Sequence, residues 1–123
     1  MASTVPAPSI LLLIAGDPMR SHRPAEALRI GLGLDSGGKE RLTILLRGPA
    51  AALLTDEVDD AVDGEELAER YLPVFQEWGT TFLVDESAAA QLADRGTDFP
   101  YKKITSAEIA AALASAGRVL IFQ

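Results

Sequence analysis

Four short apolar runs constrain the fold of this chain more than any other feature of its sequence. They lie at residues 9–15, 42–47, 81–84 and 118–122. Each run is apolar at consecutive positions rather than at alternating ones, which is typical of strands that helices cover on both faces of a parallel sheet. A weaker fifth run, at residues 101–104, carries two lysines and suits a solvent-facing edge strand.

The segments between these runs show the apolar spacing of helices. We predict helices over residues 24–34, 64–78, 87–94 and 105–116. Thr105 and Glu108 fit the capping box that opens a helix. Gly31 and Gly33 each cost about 1 kcal/mol relative to alanine inside the first helix, which favours close approach of a strand or a neighbouring subunit. Pro73 interrupts the second pattern, where it either kinks the helix or opens a new one.

Strands and helices alternate along the chain, which predicts a single α/β domain. In this three-layer α/β/α arrangement, a mostly parallel five-stranded sheet lies between helices. The 123 residues suffice for one such domain and not for two. We assign residues 9–123 to the domain and the small, Pro-rich residues 1–8 to a flexible N-terminal arm.

Charge and cysteine content exclude several classes of function. The 11 Lys and Arg against 18 Asp and Glu give a formal net charge of −7, which argues against nucleic acid as a partner. The sequence has no cysteine, which excludes disulfides, thiolate metal sites and thiol nucleophiles. The longest apolar run, residues 10–15, follows no basic stretch and is far shorter than the roughly 20 residues of a membrane span. We therefore expect a cytoplasmic protein without membrane contact.

Polar residues follow the predicted strands at their carboxyl ends, where open parallel sheets bind ligands. Arg20, His22 and Arg23 stand just before a helix that opens at Pro24, so free backbone N–H groups and guanidinium groups favour an anion there. The candidate ligand-binding residues at this edge are Asp17, Arg20, His22, Arg23, Arg47, Gly48 and Asp85.

A second interpretation of the same edge is structural. Arg20 or Arg47 can pair with Asp17 or Asp85 and hold the loops together without binding any ligand. The acidic residues 56–63 lack the spacing and the glycine of a calcium loop, so we interpret them as a solvated loop and assign them no chemistry.

Sequence motifs of common catalytic and nucleotide-binding sites are missing. There is no G-x-G-x-x-G after the first strand, no G-x-x-x-x-G-K-[ST] and no G-x-S-x-G. His22 is able to serve as a general acid or base near neutral pH, although a single loop histidine is more often a bystander. With Asp17 and Asp85 it would make only a sparse metal site. We therefore predict no cofactor and no metal.

A series of short motifs extends from about residue 9 to residue 122. In the first half these are residues 10–14, Gly16-Asp17-Pro18, the helical pattern Ala25-x-Ala27-Leu28-x-Ile30-x-Leu32, and residues 42–46 followed by Arg47-Gly48. In the second half they are residues 78–84 with a glycine before the third strand, Leu92-x-x-Arg95-Gly96 at a helix end, and the closing helix and strand at 104–122. The series resembles the DsrE/TusD family of sulfur-relay proteins.

The resemblance implies a five-stranded sheet between helices and assembly into trimers or hexamers, from identical or related subunits. In sulfur-transferring members of that family, a cysteine just after the third strand carries persulfide sulfur, and the matching position here is Asp85. A carboxylate cannot replace the polarisable thiolate that this chemistry needs. Persulfide transfer by this chain is therefore excluded, and the resemblance points to a structural role like that of the cysteine-free subunits that resemble TusC.

These observations favour a non-catalytic DsrE-like protein. It would act as an oligomeric binding or accessory subunit related to sulfur relay, with a small-anion pocket at the carboxyl edge of the sheet. Two alternatives remain open from the sequence. One is a small-molecule enzyme that uses Asp85 and His22 as acid and base. The other is a flavodoxin-like domain that binds a nucleotide or has a regulatory role.

Overall fold

The computed structural model describes residues 9–35 and 42–123 of the chain. The strands are β1 (Ile10–Ile14), β2 (Leu42–Leu46), β3 (Thr81–Asp85), β4 (Lys102–Ile104) and β5 (Arg118–Phe122). The helices are α1 (Arg23–Asp35), α2 (Gly64–Glu66), α3 (Leu72–Trp78), α4 (Glu86–Arg95) and α5 (Ser106–Ser115). Two 3₁₀ helices, Gly48–Leu54 and Asp56–Asp60, and a π turn, Leu67–Tyr71, complete the described elements. The arm predicted at residues 1–8 lies outside the described residues.

The strands form one sheet in the order β4-β3-β2-β1-β5, and every pairing within it is parallel. The short strand β4 lies at one edge, with Lys102 and Lys103 exposed, as its lysines predict. β1 and β2 are buried along their whole length. The predicted α/β class and five-stranded sheet are confirmed. No helix within residues 9–35 and 42–123 is long and apolar enough to cross a membrane.

Helices cover the two faces of the sheet unequally. Leu12, Ile44 and Phe82 lie on one face and belong to a core that also contains residues of α1, α3 and α4. Leu45 and Leu83 lie on the other face, in a smaller core to which α5 contributes. Right-handed crossovers explain the difference, because the chain steps in one direction from β1 to β4 and then returns across the sheet to β5. One ten-residue helix, α5, therefore covers a whole face.

Pro73 opens a second helical segment. Within the π turn that precedes it, the N–H of Leu72 donates to the carbonyl of Leu67, five residues back. Pro73 then takes the first turn of α3, where a proline that lacks an N–H is tolerated. The predicted helix over residues 64–78 is therefore helical along its length but divided into α2, the π turn and α3.

The predicted capping box is present at the start of α5. The Thr105 hydroxyl accepts a hydrogen bond from the Glu108 N–H at 3.1 Å, and the Glu108 carboxylate accepts one from the Thr105 N–H at 3.0 Å. Both donors belong to the first helical turn, where backbone N–H groups have no partner within the helix. The box fixes where the chain leaves β4 and enters α5.

The two glycines of α1 differ in their surroundings. A Cβ at Gly31 would lie 3.1 Å from Leu12 Cδ2 and 3.4 Å from Phe75 Cζ, so this glycine does allow close approach of the sheet and of α3. A Cβ at Gly33 would have no neighbour within 4 Å among the residues that the structure describes. The close approach predicted from the sequence is therefore present within the chain at Gly31 and not at Gly33.

Alanine at these two positions should change stability differently. Both substitutions raise helix propensity by up to about 1 kcal/mol, but only Gly31→Ala adds a methyl group beside Leu12 and Phe75. We expect Gly33→Ala to raise the free energy of unfolding by close to that amount and Gly31→Ala to raise it less or to lower it. Urea unfolding followed by circular dichroism measures both, and equal gains would contradict the packing difference.

Candidate functional site

Three of the residues predicted at the carboxyl edge of the sheet lie together. Arg47 and Gly48 follow β2, and Asp85 ends the neighbouring strand β3. The Gly48 N–H donates to Asp85 Oδ2 at 3.2 Å, and Arg47 Nε lies 3.7 Å from the same oxygen. The side chain of Asp85 is 14% exposed and that of Arg47 is 49% exposed. The Arg47–Asp85 pairing of the structural interpretation is thus present as a loose ion pair.

Asp85 is also the N-cap of α4. Its Oδ1 accepts a hydrogen bond from the Ala88 N–H at 2.8 Å and faces the Ser87 hydroxyl at 3.4 Å. A carboxylate at this place is stabilised because it satisfies an otherwise free N–H and faces the positive end of the helix dipole. Asp85 therefore ties the start of α4 to the loop after β2 through its two oxygens.

Asp17 and Arg20 lie in a tight turn after β1. Asp17 Oδ1 accepts a hydrogen bond from the Met19 N–H at 2.9 Å, and the Asp17 carbonyl accepts one from the Arg20 N–H at 3.1 Å. The side chain of Arg20 is exposed and makes no ion pair with any residue in the described parts of the chain. Its guanidinium is therefore available to a ligand.

His22 and Arg23 have partners that the sequence did not indicate. His22 Nδ1 lies 2.8 Å from Asp63 Oδ2, and both side chains are largely exposed. The Arg23 guanidinium lies over the Phe122 ring, 5.4 Å from its centroid. His22 and Asp85 thus have separate hydrogen-bond partners.

Asp63 is the residue that the sequence reasoning missed. It belongs to the acidic stretch taken for a solvated loop, of which Asp56–Asp60 forms a 3₁₀ helix instead. Asp63 itself adopts a left-handed backbone conformation, with φ of 61°, and contacts a histidine 41 positions away. Only aspartate's known tolerance of the left-handed region could have marked it.

The crevice between β3 and β4 is a topological switch point. β3 leads into α4 on one face of the sheet, whereas β4 leads into α5 on the other, and ligands of open α/β sheets bind where adjacent connections diverge in this way. A cavity of about 440 Å³ lies there, and its lining residues are Arg47, Asp85, Glu86, Ser87, Ser106 and Ile109. The sequence did not indicate Ser106, because its place depends on the strand order.

The same edge offers no set of metal ligands in the described parts of the chain. No group of three or more His, Cys, Asp or Glu side chains there is arranged to hold a metal ion. The chemistry available at the crevice is that of one guanidinium, two carboxylates and two hydroxyls.

The fold is a parallel five-stranded α/β sheet between helices. It is similar to the crystal structure of the YchN protein from E. coli, with a TM-score of 0.75 and 16% sequence identity over 94% of this chain and 99% of that chain. At this identity the likeness concerns the fold alone. No family model matches the sequence, and no curated protein matches it.

Removal of the Asp85 carboxylate should destabilise the domain. Asp85→Ala deletes the N-cap and the acceptor of the Gly48 N–H, so we expect a loss of about 1–2 kcal/mol. Asp85→Asn keeps one carbonyl oxygen and should lose less. Denaturant unfolding measures both, with Asp94→Ala on the exposed part of α4 as the matched control. An Asp85→Ala variant as stable as Asp94→Ala would contradict the structural role of Asp85.

Proposed function

We propose that this protein is a non-catalytic subunit of DsrE-like fold that acts in the cytoplasm by assembly and by binding a small anion. One observation carries the proposal. The residue at the position that the family resemblance gives to the sulfur-carrying cysteine is Asp85, and both of its carboxylate oxygens are hydrogen-bonded to backbone N–H groups. A side chain held in this way, in a chain without cysteine, serves structure rather than sulfur transfer.

The family resemblance supports a role beside sulfur-carrying proteins. A cysteine-free subunit keeps the sheet and its carboxyl edge while another subunit supplies the thiol. The assembly would be a homo-oligomer, a trimer or hexamer, or a mixed complex with a related chain that carries the cysteine. The accessory subunit would then contribute contact surface and charge to the shared site.

The arginines at the carboxyl edge support the binding of a small anion. The contact with Asp85 joins Arg47 Nε to Oδ2 at 3.7 Å, longer than a hydrogen bond, and a guanidinium has five N–H donors. Arg47 also lines the crevice with Ser87 and Ser106, whose hydroxyls are hydrogen-bond donors. Arg20 adds a second exposed guanidinium. Asp17, His22, Arg23, Gly48 and Asp85 complete the proposed site, Asp85 as its scaffold.

The two alternative functions have less support. An acid–base pair of Asp85 and His22 would need the two side chains to share a substrate, but His22 is hydrogen-bonded to Asp63 and Asp85 to backbone groups. The flavodoxin-like strand order is 2-1-3-4-5, in which β1 lies between β2 and β3. Here β1 lies between β2 and β5, so the topology is different.

Sulfate or phosphate should raise the melting temperature of the protein through these arginines. An anion present at 100 times its Kd adds about 2.7 kcal/mol, which corresponds to about 10 °C in Tm for a domain of this size. We expect Arg20→Ala and Arg47→Ala to lose most of that rise. Differential scanning fluorimetry at constant ionic strength measures it, with Arg29→Ala on the exposed side of α1 as the control.

The control separates binding from the general effect of these salts. Sulfate and phosphate stabilise most proteins by exclusion from their surface, and that effect should be equal in all four proteins. The mass in solution at low micromolar concentration is measured on the same samples. A monomer whose arginine variants respond to anions as Arg29→Ala does would contradict both parts of the proposal.

A thiol placed at position 85 tests whether the site still favours an anionic sulfur. Asp85→Cys contains a single cysteine at the start of α4, next to Arg47, where helix dipole and guanidinium lower a thiol pKa. We expect it to react with a thiol reagent at pH 7 severalfold faster than Ser115→Cys, at the opposite end of a helix. Equal rates would indicate that the scaffold does not match that of a sulfur carrier.

A further inference from the structure

The two edges of the sheet are built differently. The β4 edge is three residues long and carries two exposed lysines, Lys102 and Lys103, which discourage pairing with another strand. The β5 edge is five residues long and reads Arg-Val-Leu-Ile-Phe, with its one charge at the first position and no proline. Natural sheets protect their free edges with charge, proline or short length. Within the described residues, β4 is the better protected of the two edges.

On the outer side of β5, backbone groups have no strand partner among the described residues. The Arg118 N–H donates to the Ser9 carbonyl and the Phe122 carbonyl accepts from the Ala15 N–H, so residues 118, 120 and 122 point their polar groups towards β1. Along a strand, the backbone N–H and C=O groups of alternate residues point to opposite sides. Those of Val119 and Ile121 therefore point away from β1. Within residues 9–35 and 42–123, no strand pairs with that side.

The apolar surface beside this edge is also uncovered. Among the described residues, Ile121 is the large hydrophobic side chain that is exposed, with an exposed fraction of 54%. It lines an open groove of about 490 Å³ together with Leu13, Ala15 and Leu113, and this groove continues along the carboxyl end of the sheet to Arg47 and Asp85. The groove lies on the sheet face that, among the described helices, α5 covers, so outward-pointing hydrogen-bonding groups and apolar surface meet at one place.

We propose that β5 pairs in antiparallel orientation with β5 of a second copy of this chain, about a two-fold axis that passes by Leu120. The inference rests on the assembly part of the proposed function and names the surface used. In this register Val119 lies opposite Ile121 of the partner subunit, and Ile121 opposite Val119 of the partner subunit. Each such pair exchanges both of its N–H···O=C bonds, which satisfies the outward groups of both strands.

Self-pairing fits the charge and length of β5. The two Arg118 side chains lie at opposite ends of the paired strands, about 14 Å apart along them, beyond the screening length at physiological salt. Each Arg118 lies opposite Phe122 of the partner subunit, and the apolar positions face apolar positions. The same patch on both copies is what a two-fold contact requires. The result is a continuous sheet across two subunits.

Substitutions at Ile121 test the pairing without disturbing the subunit. Ile121→Lys places a charge at the paired edge, and its side chain is already exposed in the single chain. Ala90→Lys adds the same charge on the exposed side of α4 and is the matched control. We expect wild type and Ala90→Lys to have a mass that is an even multiple of the 13.0 kDa chain, and Ile121→Lys to have half that mass.

A proline at the same position tests the backbone bonds themselves. The Ile121 N–H points away from β1, so Ile121→Pro removes a bond between subunits and none within the subunit. It should therefore dissociate the assembly while its circular dichroism spectrum stays unchanged, whereas Ile121→Val should behave as wild type. Hydrogen exchange should find the Val119 and Ile121 amides protected in wild type and rapidly exchanging in Ile121→Pro.

The outcomes separate this inference from the proposed function. An oligomer whose mass is the same in wild type, Ile121→Lys and Ile121→Pro overturns the β5 contact and leaves assembly standing. An odd-numbered assembly, or one with rapidly exchanging Val119 and Ile121 amides, also overturns it. A wild type that is monomeric at every concentration overturns both the contact and the assembly, while anion binding is judged separately by the melting temperature.

Discussion

Both faces of the sheet have to be covered, because β1 and β2 carry apolar side chains on each side of their backbone and are buried throughout. A right-handed crossover places its helix on the face that the direction of travel dictates. The chain travels from β1 to β4 in one direction, which puts α1, α3 and α4 on one face, and it returns once to reach β5. That single return places α5 on the other face, creates the crevice between β3 and β4, and leaves the face beside β5 thinly covered.

The sequence predicted the elements whose signals are local. Apolar runs and turn residues placed the strands within about a residue, and the Thr105 capping box marked the start of α5. Features that depend on packing were not predictable. Gly31 and Gly33 are both glycines of α1, yet Gly31 faces the sheet and Gly33 does not. Pro73 could not be interpreted because the π turn before it is visible only in the backbone hydrogen bonds.

In the candidate site, too, the residues marked by local sequence were predicted and those placed by packing were not. Arg47, Gly48 and Asp85 were predicted to lie at one edge because they follow strands of a parallel sheet, and they lie in contact because β2 and β3 are neighbours. Ser106 depends on β4 being the neighbour of β3, and Asp63 on a left-handed turn, so neither was accessible from local pattern. The start of α4 favours negative charge of any chemical kind. The Asp85 carboxylate has the charge that this position favours, and its two oxygens accept backbone N–H groups of Gly48 and Ala88.

The exposed lysines of β4 limit how large an assembly can grow through the sheet. Extension of a sheet from copy to copy without end needs two edges that accept strands, as in amyloid fibrils. Here the two exposed lysines of β4 discourage strand pairing at one edge, so the proposed pairing through β5 would end at two copies. The lysines would thus stop the sheet from growing into a fibre, and any complex larger than two copies would need contacts outside the sheet edges.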